Sequence, residues 1–151
     1  VFDTGRGGRY TYHGPGQRVI YVMLDLTRHG SDVRSYINKL EQWLIDTLSE
    51  FDINAERRLG RVGIWISGRD GRDLKIGAIG VRVRRWISFH GASLNVAPDL
   101  EHYDDIVPCG VWDQGITSIT SLGMKLTMSD VDSALRYNFE KHFGTTLEVT
   151  T

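Results

Sequence analysis

The chain contains a single cysteine, Cys109, set between Pro108 and Gly110. Proline fixes the backbone before the thiol and glycine frees it afterwards. Such a frame can hold a sulfur at an exposed turn and aim backbone N–H groups at a developing oxyanion. A lone cysteine can equally be a small buried hydrophobe. The two readings differ in whether a cation or base stands nearby, because the thiolate is the attacking species. Candidates for that neighbour are Lys75, His13 and His90. Lys75 heads the run Lys75-Ile76-Gly77-Ala78-Ile79-Gly80, whose small residues leave room for another group to pack on a strand. The alternatives are a solvated lysine at a strand end and hydrogen-bonded structural histidines. No His/Cys spacing reads as a metal site.

A second segment also stands out: Arg6-Gly7-Gly8-Arg9-Tyr10-Thr11-Tyr12-His13-Gly14-Pro15-Gly16-Gln17. Its glycines permit sharp turns or a close backbone approach to a ligand, with Thr11 and His13 presented nearby. The spacing fits neither a P-loop nor a dinucleotide loop, and no Lys-Ser/Thr follows. A single Arg-Gly-Gly in a chain of net charge −1 is a poor RNA-binding element. A turn-rich connector remains open on local chemistry alone. A short basic cluster, Arg82, Arg84 and Arg85, reads either as a solvated strand face or as a surface for an acidic protein.

These residues need elements to position them. Residues 18–26 read as a buried strand. Ser31 or Asp32 can then cap a helix whose apolar positions Val33, Tyr36, Ile37, Leu40, Leu44 and Leu48 recur at helical spacing to about Phe51. The period then changes to two. Strands are predicted over 53–57, 62–66, 74–84 and 86–96, with a turn at 67–71. Ser129 with Asp132 resembles a capping box opening a helix that carries Val131, Leu135, Phe139 and Phe143, which Gly144 can end. Strands in runs with two helices predict an α+β fold with a mixed, mostly antiparallel sheet.

The 151 residues suit a single domain over 1–151. With 18 Lys+Arg against 19 Asp+Glu there is no global pull toward nucleic acid or an anionic membrane. The apolar runs are about strand length, so no bilayer span is expected. One cysteine excludes an internal disulfide and fits a reducing, cytoplasmic setting.

Four blocks in order resemble the lipoyl(octanoyl) transferase family. The first is Arg6-Gly7-Gly8, then Thr11-Tyr12-His13-Gly14-Pro15-Gly16-Gln17, with Tyr21 four positions on. The second runs from Lys75-Ile76 through Ala78-Ile79-Gly80-Val81-Arg82. The third is His90-Gly91 with Leu94-Asn95-Val96, and the fourth Ile106-Val107-Pro108-Cys109-Gly110. The resemblance implies the biotin/lipoate protein ligase catalytic fold, here without the N-terminal segment that the family carries before Arg-Gly-Gly. It implies a cysteine that takes an octanoyl group from acyl carrier protein and passes it to a lysine of a lipoyl domain. Those domains belong to 2-oxoacid dehydrogenase complexes and to the H protein of glycine cleavage. No nucleic acid, membrane, metal, ATP or other cofactor is implied. Carried onto this sequence, Cys109 is the nucleophile and Lys75 its partner. Arg6, Gly7, Gly8, Arg9, Tyr10, Thr11, Tyr12 and His13 would line the substrate site, with Ala78, Ile79, Gly80, Gly91, Ala92 and Ser93. The pair implies that Lys75 and Cys109 lie about 3–6 Å apart, with His13 at the same cleft. Two other readings stay open: an ATP-dependent lipoate or biotin ligase, which the Pro-Cys-Gly block argues against, and a non-catalytic binding fragment.

Overall fold

Asp32 adopts extended backbone and its carboxylate accepts from the N–H groups of Arg34 and Ser35, so helix α1 starts where the cap predicts and runs Val33–Ser49. Its buried stripe, Tyr36, Leu40, Trp43, Leu44 and Leu48, faces the sheet and a second helix. That helix, α2, runs Met128–Phe143 and ends at Gly144 in positive-φ backbone. Trp43 Nε1 donates to the Leu135 carbonyl (2.8 Å), and the Trp43 ring meets Phe139 edge-on, pinning the two helices together. The computed structural model describes residues 11–103 and 115–146.

Among those residues the strands are β1 (Gln17–Tyr21), β2 (Glu56–Arg58), β3 (Arg61–Ser67), β4 (Asp73–Arg84), β5 (Ile87–Asn95) and β6 (Gly115–Ile116). They form one sheet of order β1-β5-β4-β3-β2 with antiparallel neighbours, and β6 lies parallel to β4. The α+β, mostly antiparallel expectation holds. Both helices pack on one face, where Ile64, Ala92 and Leu94 close the core. Tyr36 OH donates to Ser88 Oγ (3.2 Å), which fixes that face of β5 against α1.

The run 18–26 is predicted as one strand, but regular pairing stops at Tyr21. His90, opposite the break, has left-handed backbone (φ 64), which shifts the register. Val22 N–H still reaches the His90 carbonyl (2.7 Å) and Ser88 N–H the Leu24 carbonyl (2.9 Å), so the chain follows β5 irregularly to Asp25. The capping box of α2 is also displaced: Thr127 and Asp130 form it, not Ser129 and Asp132. The sequence holds two overlapping copies of the signature. The copy at Asp132 is spent on an ion pair with Arg18 of β1 (2.5 Å).

The β4–β5 connection is a two-residue turn, Arg85-Trp86, with Arg84 paired to Ile87 across it. Both turn residues are left-handed, at φ 50 and 63. Such a turn favours Asn-Gly, and each non-glycine residue there costs about 1–2 kcal/mol.

Candidate active site

Lys75 sits where the β3–β4 ladder is interrupted. Trp65 pairs with Lys75 while Ile64 pairs with Gly77, so Ile76 is an extra residue on β4. The bulge turns Ile76 into the helix-side core and leaves Lys75 on the other face of the sheet. In an antiparallel sheet paired residues share a face and alternate pairs share the same one. Ala78 with Ser93 and Gly80 with Gly91 therefore continue from Lys75 and Trp65 along that second face. Ile79 and Ala92, also expected to line the site, are a pair on the helix face and pack with the core. The structure thus brings Lys75, Ala78, Gly80, Gly91 and Ser93 onto one surface and separates Ile79 and Ala92 from them.

Lys75 is not a solvated strand end. It is 7% exposed, and its ammonium lies 4.7 Å from the centre of the Trp65 ring. Gly63, left-handed at φ 132, is what makes room for it. A Cβ at Gly63 would stand 2.9 Å from Lys75 Cε and 3.0 Å from the Gly77 carbonyl oxygen. Gly63 is held in turn by Glu41 of α1, whose buried carboxylate accepts the Gly63 N–H (2.9 Å) and pairs with Arg57 (3.2 Å). The helix therefore fixes the strand that cradles the lysine. Gly63→Ala is expected to destabilise the protein by about 1–3 kcal/mol and to displace Lys75. Thermal unfolding checks the loss of stability, with a melting temperature below that of the parent as the expected result.

The glycine-rich segment is tied to the same end of the sheet. Gln17 of β1 donates through Nε2 to Asn95 Oδ1 (2.8 Å) and to Tyr103 OH (2.7 Å). With its amide nitrogen so used, Gln17 presents Oε1 to His13, whose Nδ1 lies 2.5 Å away and must carry the proton. Asn95 Nδ2 donates to the Thr117 carbonyl (3.0 Å), and Thr117 N–H donates to the Lys75 carbonyl (3.0 Å). A continuous hydrogen-bonded path thus runs from His13 through Gln17, Asn95 and Thr117 to the backbone of Lys75. Burial pushes the Tyr103 phenol above its usual range, with the Gln17 hydrogen bond acting the other way, so it stays a donor near neutral pH. Tyr12 is half-buried, its ring 5.0 Å from His102 and 5.6 Å from Tyr103, while Thr11 and His13 are exposed. Gly91 must be a glycine for packing reasons, since a Cβ there would lie 2.3 Å from the Ile20 carbonyl oxygen of β1.

Arg6, Gly7, Gly8, Arg9, Tyr10 and Cys109 lie outside the described residues, and with them the expected Lys75–Cys109 distance. Gly63, Trp65, Gln17 and Asn95 escaped the sequence reading as positioning residues. Gln17 and Asn95 lie inside family-like blocks, which is the one signal that could have found them. Among the described residues no group of three or more His, Cys, Asp or Glu could hold a metal, and no helix is long and apolar enough to cross a membrane.

Residues 1–140 match the model of the lipoyl protein ligase A/B catalytic domain. An octanoyltransferase of Paramagnetospirillum magneticum is 60% identical over 144 residues, covering 95% of this chain and 68% of that protein. A lipoate-protein ligase A solved with ATP superposes with a TM-score of 0.73 at 17% identity, covering 95% of this chain and 58% of that one. The biotin protein ligase of Aquifex aeolicus superposes at 0.63 and 12% identity, covering 84% of this chain and 52% of its own. The sequence thus spans about two thirds of the curated relative and a little over half of each ligase. At such low identity the two ligases share the fold alone.

Proposed function

Because the chain belongs to the lipoyl protein ligase A/B catalytic-domain family, we propose that it is the catalytic part of an octanoyltransferase serving lipoate biosynthesis. The observation that carries this is the 60% identity to an octanoyltransferase across 95% of the chain, set against 17% for the ATP-bound ligase of the same fold. Acyl carrier protein is the donor and lipoyl domains are the acceptors, and the reaction runs in the cytoplasm.

In this reading Cys109 thiolate attacks the carbonyl carbon of the octanoyl thioester. The carrier thiol leaves with a proton, and the octanoyl group stays on Cys109 as a new thioester. The acceptor lysine, as a neutral amine, then attacks that carbonyl. An amide forms, Cys109 is released as thiolate, and the amine gives up its proton. Lys75 stabilises the thiolate and carries these protons, held in place by Trp65 and Gly63. The bare backbone of Gly80 and Gly91, beside Ala78 and Ser93, gives the acyl chain a floor without side-chain obstruction. No step needs ATP, because the thioester already carries the activation.

A two-way donor test decides between this and the ligase reading. Lipoyl domain is supplied with octanoyl-carrier protein alone, or with free octanoate and ATP. Amide formation from the first mixture, with little or none from the second, is the expected result. Product only from octanoate with ATP would make the chain a ligase.

A further inference from the structure

We propose that the tip of the β4–β5 hairpin is the docking surface for an acidic carrier protein that delivers the acyl thioester. This rests on the octanoyl-transfer reading and adds the surface that recognises the donor. Arg82 and Arg84 lie on the same sheet face as Gly80 and Lys75, paired with Phe89 and Ile87 of β5. Arg85 and Trp86 form the turn between them. All six side chains are exposed.

The arginines here differ from most others in the chain. Arg18, Arg28, Arg57, Arg58, Arg61 and Arg72 each pair with a carboxylate. Arg82, Arg84 and Arg85 have no carboxylate partner among the described residues. The nearest acid along the chain that flanks the hairpin is Asp25, which bridges to Ile87 through the backbone. Its carboxylate is taken by the Thr27 N–H and hydroxyl and faces Arg28 at 3.9 Å. The patch is therefore basic, and it is interleaved with Trp86, Phe89 and the exposed Tyr21. Arginine beside aromatic rings is the composition of protein-binding hot spots, and uncompensated positive charge selects an acidic partner. The turn itself points the same way. Arg85 and Trp86 occupy left-handed positions that Asn-Gly would fill with less strain, so their side chains are retained against the local preference.

Geometry selects the donor rather than the acceptor. At about 3.3 Å per residue the run from Lys75 to Arg82 spans roughly 23 Å. An acceptor lysine reaches only as far as its own side chain, so its domain must sit over the reacting centre. A carrier whose acyl group rides on a long flexible arm can dock at the far end of the strand. The glycine floor of Gly80 and Gly91 lies between the two ends.

The test compares the parent chain with Arg82→Glu/Arg84→Glu/Arg85→Glu, reading binding of labelled octanoyl-carrier protein at low and at physiological salt. The triple variant is expected to weaken binding by about 10- to 100-fold and to lose most of the salt dependence. Transfer from octanoyl-pantetheine, which brings no protein surface, should be unchanged. A second variant, Arg85→Asn/Trp86→Gly, installs the preferred turn pair, so it should melt no lower than the parent yet bind carrier about tenfold less tightly. Unchanged carrier affinity in both variants overturns the proposal. So does an equal loss of transfer from octanoyl-pantetheine, or a loss of lipoyl-domain binding in place of carrier binding. Should the parent transfer octanoyl from neither donor, the transfer reading fails, and carrier affinity still decides the docking surface.

Discussion

Cys109→Ser is expected to reduce octanoyl transfer to a lipoyl domain by about 10³-fold or more while leaving the fold intact. The sequence offers no second thiol to form a thioester. Serine keeps nearly the same shape, but its hydroxyl stays protonated near neutral pH and any ester it formed would resist the acceptor amine. Circular dichroism and a thermal melt matching the parent separate a chemical loss from a structural one. Amide formation is read by mass on the lipoyl domain. Appreciable turnover by the serine variant would remove the thioacyl intermediate from the account.

Removing the Lys75 charge is expected to cost about 10²- to 10³-fold in transfer. Lys75→Met is the informative change, because it keeps the packed stem between Gly63 and Trp65 and removes only the ammonium. The cation over the indole is by itself worth roughly 0.5–2 kcal/mol, and a thermal melt of the variant separates any loss of stability from the loss of rate. The sign of the accompanying pH effect follows from charge. An ammonium beside a thiol favours the thiolate, so without it the Cys109 thiol pKa rises and alkylation shifts to higher pH. Superimposable alkylation profiles for the two proteins would take Lys75 out of the activating role and leave it a buried structural lysine.

The fold was legible wherever a local signal sufficed. Asp32 and the 3.6-residue spacing of Tyr36, Leu40 and Leu44 announce α1 without tertiary help. Alternation of Val81 and Val83 with Arg82 and Arg84 announces the long hairpin and its exposed edge. The misplaced box of α2 shows the limit of such signals. Two copies offset by two residues look alike in sequence, and a contact between Asp132 and Arg18, far apart in the chain, decides which one caps. For the site, the side of the sheet on which each candidate falls depends on the Ile76 bulge. Strict alternation would have put Lys75 and Ala78 on opposite faces. The bulge exists because β3 and β4 drift out of register at Ile64 and Trp65, a pairing between strands that no short window contains. The cradle of Gly63 and Trp65 and the path from His13 to Thr117 are equally long-range. Residue types singled out a lysine and a histidine as candidates, and only the fold supplied their supports.

The most direct test follows the acyl group itself. The chain is incubated with octanoyl-carrier protein without ATP, and its intact mass is taken before and after lipoyl domain is added. A covalent route through Cys109 requires a single octanoyl increment, located on that residue by peptide mapping and removed by hydroxylamine as a thioester is. On adding the acceptor, the same increment should leave the chain and appear on a lipoyl-domain lysine. Octanoylated lipoyl domain formed with Cys109 unmodified throughout, or formed only when ATP and free octanoate are present, would contradict it.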